Sequence, residues 1–285
     1  MTLIDGKSIS AKVKEEIKSA ASDLAAKGVK PALAVILVGD DAASKTYVAS
    51  KEKACAACGI RSVAHRLSFD VSEAALLELI ENLNEDESID GILVQLPLPK
   101  HIDTNKILEK ISPQKDVDGF SAINVGKLTS GLADGFVPCT PLGVMRLLEE
   151  YGVQIAGKNA VVLGRSNIVG KPMASLLLNA DATVTITHSK TKDLKRLCAD
   201  ADILVAAVGK AHFVGADMVK QGAVVIDVGI NRGEDGKLRG DVDFDAVAPK
   251  CSLITPVPGG VGPMTIAMLL SNTIKSAKNR LRQRA

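Results

Sequence analysis

Short apolar runs alternate with amphipathic segments through the first third of the chain. Apolar residues recur at helical spacing from 8 to 27 and are followed by Gly28, which predicts a helix with a C-terminal stop. The same patterning predicts strands at 32–38, 61–69 and 91–96 and further helices at 44–58 and 72–84. Strands separated by helices need crossover connections, so we expect this αβαβαβ order to form a parallel sheet.

A second set of alternating elements follows an irregular stretch from 113 to 138, where we place a domain boundary. The predicted elements are a helix at 140–151, strands at 160–163, 183–187, 203–208 and 224–228, a helix opening at Gly170 and a short helix near Leu194. This order is typical of a doubly wound α/β fold. The segment 254–265, rich in proline and glycine, is predicted to be a shaped loop.

Composition and charge narrow the possible functions. The net charge of +2 over 285 residues gives no reason to expect nucleic acid or a membrane surface as a partner. The N-terminus has no basic flank before an apolar core and no window is long enough to span a membrane, so we expect a cytoplasmic protein. Five scattered cysteines do not indicate a disulfide framework, and Cys55 and Cys58 form a CxxC without a second pair, so we expect no metal.

The stretch from Asn159 to Pro172 joins an apolar strand to a helix start through a loop that Gly164 and Gly170 bound. Such a junction directs unpaired backbone N–H groups and the positive end of a helix dipole at one point, which suits a pyrophosphate. The glycine spacing differs from the G-x-G-x-x-G fingerprint, so the motif taken alone is a weak indication of a dinucleotide.

The strand that follows this helix ends without the acid that would bind a ribose 2′-hydroxyl. Instead, Ser189 comes after the strand, and Arg165 and Ser166 lie in the preceding loop. One guanidinium and two hydroxyls supply the chemistry that a 2′-phosphate needs, so we favour NADP over NAD as the cofactor. The alternative is that Arg165 caps a loop and Ser189 caps the next helix.

Candidate chemistry also occurs in the first half of the chain. Ser44, Tyr47 and Lys51 share one helix face, close to the carboxyl ends of the strands where parallel sheets bind ligands. Gln95 ends another strand, and an amide there needs a partner such as Lys51. A lysine held by an amide could act as a base, with Tyr47 adding a hydroxyl or a stacking face. The alternative is a solvated helix lysine beside Glu52.

Two further features are open to more than one interpretation. Asp118, in the sequence KDVDG, could bind a polar heterocycle through its carboxylate or could make an Asx turn. The last helix carries no acid after Ser271, and its basic residues predict a solvated helix end. These basic residues are Lys275, Lys278, Arg280, Arg282 and Arg284.

Several long motifs, in this order, resemble the bifunctional methylenetetrahydrofolate dehydrogenase/methenyltetrahydrofolate cyclohydrolase family. They are YVASKEKAC, DGILVQLPLP, KDVDGF, PCTPLG, GRSNIVGKP, HSKT, VIDVGIN and ITPVPGGVGPMT, and they extend over nearly the whole chain. The resemblance implies two α/β domains with a cleft between them, the second a Rossmann-like doubly wound parallel sheet. Residues 1–138, completed by a C-terminal helix at 265–285, would be the folate-binding catalytic domain, and residues 139–264 the NADP-binding domain. It also implies a homodimer joined through the cofactor domains.

The resemblance assigns roles by position. In the first domain, Lys51 matches the family's essential lysine, Tyr47 the folate-stacking tyrosine, Gln95 the glutamine that tunes the lysine and Asp118 the pterin-binding aspartate. The positions that match cofactor contacts are Gly164, Arg165, Ser166, Ser189 and Ile230. The positions that match a loop lining the substrate cleft are Pro258, Gly259 and Gly260.

The implied activity is NADP-dependent oxidation of 5,10-methylenetetrahydrofolate to 5,10-methenyltetrahydrofolate, followed by hydrolysis to 10-formyltetrahydrofolate. The nearest alternative is a monofunctional NAD-dependent methylenetetrahydrofolate dehydrogenase. A nucleotide-binding protein without activity is a further alternative, and periodicity alone would also fit an amino-acid or hydroxy-acid dehydrogenase. The length of 285 residues leads us to expect no appended formyltetrahydrofolate synthetase.

Overall fold

A computed structural model describes residues 1–284 and divides the chain into two compact units. The three-stranded unit comprises Lys12–Cys139 and Ile266–Ala285, and the six-stranded unit comprises Met1–Ala11 and Thr140–Thr265. Ala285, the last residue of the C-terminal helix expected at 265–285, lies outside the described residues. No helix among the described residues combines the length and apolarity that crossing a membrane requires.

The three-stranded unit has a small parallel sheet with the fully buried strand β2 at its centre. Its helices and strands are α1 (Gly6–Ala26), β2 (Ala32–Val38), α2 (Ala42–Ala57), β3 (Arg61–Leu67), α3 (Glu73–Glu85), β4 (Gly91–Val94), α4 (Thr104–Lys110), α5 (Ala122–Thr129) and the long C-terminal helix α10 (Val261–Arg284). Helix α1 begins in the N-terminal segment and continues into this unit. The strand order is β3-β2-β4, and both pairings are parallel. The carboxyl ends of all three strands therefore meet at one edge.

The six-stranded unit is doubly wound. Its elements are β1 (Thr2–Leu3), α6 (Cys139–Glu150), β5 (Asn159–Leu163), α7 (Gly170–Asn179), β6 (Thr183–Thr187), α8 (Leu194–Ala199), β7 (Ile203–Ala206), β8 (Val224–Asp227), a hairpin of β9 (Asn231–Arg232) and β10 (Leu238–Arg239), α9 (Phe244–Val247) and β11 (Leu253–Ile254). The order β1-β11-β8-β7-β5-β6 is parallel throughout. Because β6 and β7 flank β5 on opposite sides, the topological switch point lies at the carboxyl ends of β5 and β7. The predicted α/β class with a doubly wound parallel sheet is confirmed.

The first eleven residues differ from the domain division that the resemblance implied. They belong with the six-stranded unit, because β1 pairs in parallel with β11. Each of these strands has two residues, which is too short to leave an alternating pattern in the sequence.

Two helices lie where irregular structure was expected. The helix α5 falls inside the stretch 113–138 and is capped by Ser121, whose hydroxyl accepts from the backbone N–H of Asn124. The helix α10 begins at Val261, inside the segment predicted to be a loop, with Gly262 and Pro263 in its first turn. Proline is compatible with a first helical turn, where its missing N–H has no intrahelical partner to lose.

The basic C-terminal helix is anchored, so the predicted solvated end is wrong for two of its residues. The Lys275 amine donates to the carbonyls of Ala133 and Gly135, at 2.9 and 2.6 Å, and burial lowers its pKa. The Arg280 guanidinium donates to both carboxylate oxygens of the buried Asp90, at 2.7 and 3.1 Å. These contacts attach the C-terminal helix to the rest of the three-stranded unit.

Candidate active site

Lys51, on α2, has an amide as its hydrogen-bond partner. Its Nζ donates to Oε1 of Gln95 at 3.0 Å. The Gln95 side chain is held by a second hydrogen bond, because its Nε2 donates to the carbonyl of Leu96 at 2.7 Å. The backbone N–H of Gln95 donates to the carbonyl of Ile36 on the central strand. The amide is thereby fixed with its oxygen towards the lysine.

The helix face that carries Lys51 is buried at its start and partly exposed further along. Ser44 is buried at the start of α2, where its backbone N–H donates to the capping carboxylate of Asp41 at 2.7 Å. Tyr47, one turn before Lys51, is 47% exposed. Lys51 itself is half-buried. Tyr47 therefore offers a free aromatic face, whereas Ser44 serves the helix terminus.

Asp118 places a half-buried carboxyl group in the same unit. Burial raises the pKa of Asp118, the charge of Lys51 opposes that rise and the charge of Asp116 adds to it. The thiol of Cys139 donates to Oδ1 of Asp118 at 3.4 Å, and burial together with Asp118 raises the pKa of this thiol well above its usual value. Lys51 donates to Gln95, and its charge acts on Asp118, so these three predicted side chains lie in one region of the unit.

Asp116, which the sequence analysis did not single out, makes the turn that was considered for Asp118. Its buried carboxylate accepts from the backbone N–H groups of Gly119, Phe120 and Ser121, at 3.0, 3.2 and 2.8 Å, and from Asn124 Nδ2 at 2.9 Å. Because Asp116 satisfies the turn, the neighbouring Asp118 carboxyl group is left to interact outside it. The two acids in KDVDG were the available signal, but spacing does not tell which one turns inward.

Asn272, on α10, is a second residue that the sequence analysis missed. Its side chain is buried, and Nδ2 donates to the carbonyls of Val117 and Val137, at 2.8 and 3.0 Å. The amide connects the C-terminal helix to the backbone next to Asp118. In the sequence, an asparagine within a helix resembles a surface position, so no pattern identified it.

Gly164 and Gly170 form a tight turn after β5 in the six-stranded unit. Gly164 has a φ of +126°, and a Cβ on it would lie 2.2 Å from the carbonyl oxygen of Ala207, which follows β7. A Cβ on Gly170 would lie 2.2 Å from the carbonyl oxygen of Gly164. Both positions exclude a side chain, so the backbones of the β5 and β7 turns approach closely at the switch point.

The predicted phosphate-binding side chains follow β5 and β6, whose last paired residues are Leu163 and Thr187. Arg165 and Ser189 therefore each lie two residues beyond the end of the ladder. Both are exposed, and within residues 1–284 neither side chain makes a hydrogen bond or an ion pair. The N-cap of α8 is Asp193, which excludes Ser189 as the cap of that helix.

Ser166 already has a structural task. Its hydroxyl accepts from the backbone N–H groups of Val169 and Gly170, at 3.1 and 3.3 Å. The hydroxyl oxygen therefore supports the start of α7, while the side chain remains on an exposed loop. Of the three side chains predicted to bind a 2′-phosphate, Arg165 and Ser189 are the two that have no other partner in the described chain.

The remaining predicted contacts also lie in the six-stranded unit. Ile230 follows β8 and is 48% exposed. In the loop Pro258–Gly260, Gly259 has a φ of +109°, and its carbonyl accepts from the backbone N–H of Lys7 at 3.1 Å. A Cβ on Gly6 would lie 1.8 Å from the carbonyl oxygen of Gly260, so glycine is required where α1 begins. The structure thus places this loop in a different unit from Lys51.

The CxxC cysteines are buried residues of the three-stranded unit. Burial raises the pKa of Cys55 to about 12, and it also raises the pKa of Cys58. Because of these raised pKa values both thiols stay protonated, and protonated thiols are poor nucleophiles and poor metal ligands. Over the described part of the chain, no group of three or more His, Cys, Asp or Glu residues is arranged to hold a metal ion.

Comparison with known proteins identifies the family. Residues 4–118 match the catalytic domain of tetrahydrofolate dehydrogenase/cyclohydrolase, and residues 138–281 match its NAD(P)-binding domain. The chain is 72% identical over 283 residues to the "Bifunctional protein FolD" of Campylobacter hominis, with 99% of each chain covered. The crystal structure of the bifunctional FolD methylenetetrahydrofolate dehydrogenase/cyclohydrolase of Campylobacter jejuni is 59% identical, with a TM-score of 0.97 over 98% of this chain and 99% of that one. The Trypanosoma brucei FolD, solved with NADP and an inhibitor, is 43% identical, with a TM-score of 0.93 over 100% of this chain and 99% of that one. The chain therefore belongs to the tetrahydrofolate dehydrogenase/cyclohydrolase family.

Proposed function

We propose that this chain is a bifunctional enzyme of folate one-carbon metabolism. It oxidises 5,10-methylenetetrahydrofolate to 5,10-methenyltetrahydrofolate with NADP and then hydrolyses that product to 10-formyltetrahydrofolate. Membership of the family and the high identity to bifunctional relatives support both activities over the monofunctional NAD-dependent alternative. The observation that best supports the hydrolytic activity is the Lys51–Gln95 hydrogen bond, which gives the lysine an oriented amide as its partner.

The six-stranded unit fits NADP. Neighbouring backbone carbonyls exclude a side chain at Gly164 and at Gly170, and α7 begins at this turn, so a pyrophosphate could approach the backbone closely at the switch point. Arg165 and Ser189 extend from the two adjacent strand ends without other partners in the described chain. A guanidinium and a hydroxyl in these positions match the charge and acceptor oxygens of a 2′-phosphate.

In this proposal the cofactor is held by Gly164, Arg165, Ser166, Ser189 and Ile230. The chemistry that bound NADP supplies is acceptance of a hydride from the one-carbon bridge of the substrate. The chain's own contribution is to bind and orient. Arg165 and Ser189 would contact the 2′-phosphate, the turn at Gly164 would admit the pyrophosphate, and the backbone at Ile230 would contact the cofactor.

The three-stranded unit carries out the hydrolysis in this proposal. Water adds to the methenyl carbon, the bond from that carbon to N5 of the folate breaks, and one proton is released in total. Lys51 Nζ relays the proton between the attacking water and the departing nitrogen, and Gln95 Oε1 holds the amine in place. The methenyl carbon bears positive charge that the adjacent folate nitrogens share. A group that removes the proton from water therefore assists the step directly.

Asp118 and Tyr47 bind the folate in this proposal. The Asp118 carboxyl group is left out of its own turn by Asp116, and it lies within electrostatic reach of Lys51. It therefore offers acceptor oxygens to the N–H groups of the pterin ring. The exposed ring of Tyr47 provides a face for stacking. We assign Pro258, Gly259 and Gly260 to a loop that contacts the substrate.

We also propose the organisation that the resemblance implies. The folate-binding catalytic domain is formed by residues 12–138 and the C-terminal helix, the NADP-binding domain by residues 139–264 together with the first eleven residues, and two copies associate as a homodimer. We further propose that the enzyme works in the cytoplasm. Five free, buried cysteines support this location, because secreted proteins more often use their cysteines in disulfides.

One set of absorbance measurements tests the proposed function. The purified protein is mixed with 5,10-methylenetetrahydrofolate and either NADP or NAD, and separately with 5,10-methenyltetrahydrofolate alone. We expect NADPH to accumulate and the methenyl absorbance to decay in both the coupled and the separate reaction. NADH formation with persistent methenyl absorbance would instead identify a monofunctional dehydrogenase, and no change in any mixture would refute an enzymatic role.

A further inference from the structure

The loop after β7 is organised by a buried carboxylate, that of Asp241. Its Oδ2 accepts from the backbone N–H groups of Val208 and Gly209, at 2.6 and 3.0 Å, and its Oδ1 accepts from that of Lys210 at 2.9 Å. Asp241 is fully buried, whereas Gly209 and Lys210 are exposed. Three successive backbone N–H groups of a surface loop therefore point inward to one side chain. Such a nest of amides is an anion-binding arrangement, and here the anion is internal.

The carboxylate is itself held in place from two sides. Asn231 Nδ2 donates to Asp241 Oδ1 at 2.9 Å. Asp227, at the end of β8, accepts from the backbone N–H groups of Asp241 and Val242, both at 2.9 Å. A Cβ on Gly229 would lie 2.3 Å from Oδ1 of Asp241, so the packing around the carboxylate is close. Each carboxylate oxygen of Asp241 thus accepts hydrogen bonds from two donors.

The loop that Asp241 holds lies at the topological switch point. It continues from Ala207, whose carbonyl oxygen is the atom that excludes a side chain at Gly164. Ligands of doubly wound sheets bind outside the carboxyl ends of the two strands that flank this point. The conformation of Val208–Lys210 therefore defines one wall of the space that the turn at Gly164 opens.

We propose that Asp241 is a positioning residue for the dehydrogenase reaction, because it fixes Val208–Lys210 in the conformation that receives NADP. This inference rests on the proposed function. Asp241 does not touch the cofactor in this account. It acts through the three backbone N–H groups that it holds, and its influence is limited to the cofactor reaction, because Lys51, Gln95 and Asp118 belong to the other unit.

The substitution Asp241→Asn tests the proposal with little change in size. An amide has one acceptor oxygen, so two of the four donors around Oδ1 and Oδ2 would face an NH2 group. We expect the KM for NADP to rise about tenfold or more, with kcat at saturating NADP changed much less. Hydrolysis of methenyltetrahydrofolate supplied without cofactor should keep its native rate. Asp243→Asn is the matched control, because this acid lies two residues away and only caps the short helix α9.

Two further measurements separate positioning from loss of folding. Hydrogen exchange followed by mass spectrometry on a peptide containing 208–210 should show faster exchange in Asp241→Asn, whereas peptides from β5 and β8 keep native protection. Asn231→Ala removes one donor to Asp241 and leaves the three loop contacts, so we expect a smaller rise in the KM for NADP. An unfolded six-stranded unit would instead expose β5 and β8 and abolish kcat.

The outcomes distinguish this inference from the proposed function. If the native protein lacks both activities, the proposed function fails. If the native protein is active and Asp241→Asn leaves the KM for NADP and the exchange of 208–210 unchanged, the positioning role is refuted. The positioning role would also be refuted if Asp241→Asn lowered kcat of the dehydrogenase reaction without changing the KM for NADP. It would equally be refuted if Asp241→Asn lowered the rate of hydrolysis as much as that of the dehydrogenase reaction.

Discussion

Removing the Arg280 side chain should strongly destabilise the three-stranded unit. The guanidinium donates twice to Asp90, whose side chain is 0% exposed, and the Arg280 side chain is itself largely buried, at 19% exposure. Asp90 also accepts from the backbone N–H of Ala32, at the start of the central strand. Arg280→Ala would leave the buried Asp90 carboxylate with the Ala32 N–H as its one remaining hydrogen-bond donor within residues 1–284.

The expected cost is about 3 to 5 kcal/mol, the range for breaking a buried ion pair by removing one partner. Urea unfolding followed by circular dichroism measures it, and Lys278→Ala, at an exposed position of the same helix, should change the free energy of unfolding by less than about 0.5 kcal/mol. In the background Asp90→Asn, the cost of Arg280→Ala should fall to about 1 kcal/mol, because no charge is stranded. Equal effects of Arg280→Ala and Lys278→Ala would refute this account of the anchored helix.

Three further predictions concern pH, hydrolysis and cofactor choice. Burial raises the pKa of Asp227 to about 6, so this carboxyl group binds more protons in the folded than in the unfolded state between about pH 4 and pH 6. Its contribution to the free energy of unfolding should fall by about 3 kcal/mol as pH rises through that window. The difference in free energy of unfolding between the native protein and Asp227→Asn, from urea titrations, should therefore change with pH by this amount, and a difference independent of pH would contradict the assignment. Gln95→Leu, which leaves Lys51 without its amide partner, should slow hydrolysis by about tenfold or more, with the KM for NADP unchanged; native hydrolysis would exclude a role for the amide. Arg165→Ala should raise the KM for NADP by about tenfold or more and leave that for NAD almost unchanged, whereas equal changes for both cofactors would show that Arg165 does not contact the 2′-phosphate.

Much of the fold follows from patterns that the sequence displays openly. The strand β2 is an unbroken apolar run of seven residues, and its predicted bounds agree with the structure. The strands β5, β7 and β8 were found for the same reason, since strands buried on both faces are almost continuously apolar, whereas β6 alternates threonine with apolar residues. By contrast, β1 and β11 have two residues each, and α5 has eight. These elements are too short to show the alternation of a strand or the helical spacing of apolar residues.

The candidate site was predicted from residues whose type is unusual for their position at or near the end of a strand. Gln95 is the polar residue in an apolar strand, and Lys51 lies one helix turn after a tyrosine in a chain that has two. The supporting residues were missed because acids and amides buried by tertiary contacts resemble surface positions in a sequence. Asp116 and Asp241 each satisfy several backbone N–H groups that are not identified until the chain folds.

The same limit applies to the basic C-terminal helix. Its charge pattern is that of a solvated helix, and Lys278 is indeed exposed. The partners of Arg280 and Lys275 lie far away in sequence, at Asp90 and at two backbone carbonyls near Gly135. Long-range pairing of this kind has no local signature, so the sequence alone could not separate the anchored residues from the solvated one.

The central claim is that Lys51 carries the hydrolysis while a separate unit holds NADP, and Lys51→Met tests it most directly. Hydrolysis of methenyltetrahydrofolate and the dissociation constant for NADP are measured on the same preparation, with Lys53→Met, at an exposed position of the same helix, as the control. We predict that Lys51→Met lowers the hydrolysis rate by about a hundredfold or more and leaves NADP binding at the native value. Hydrolysis at the native rate in Lys51→Met would contradict the account.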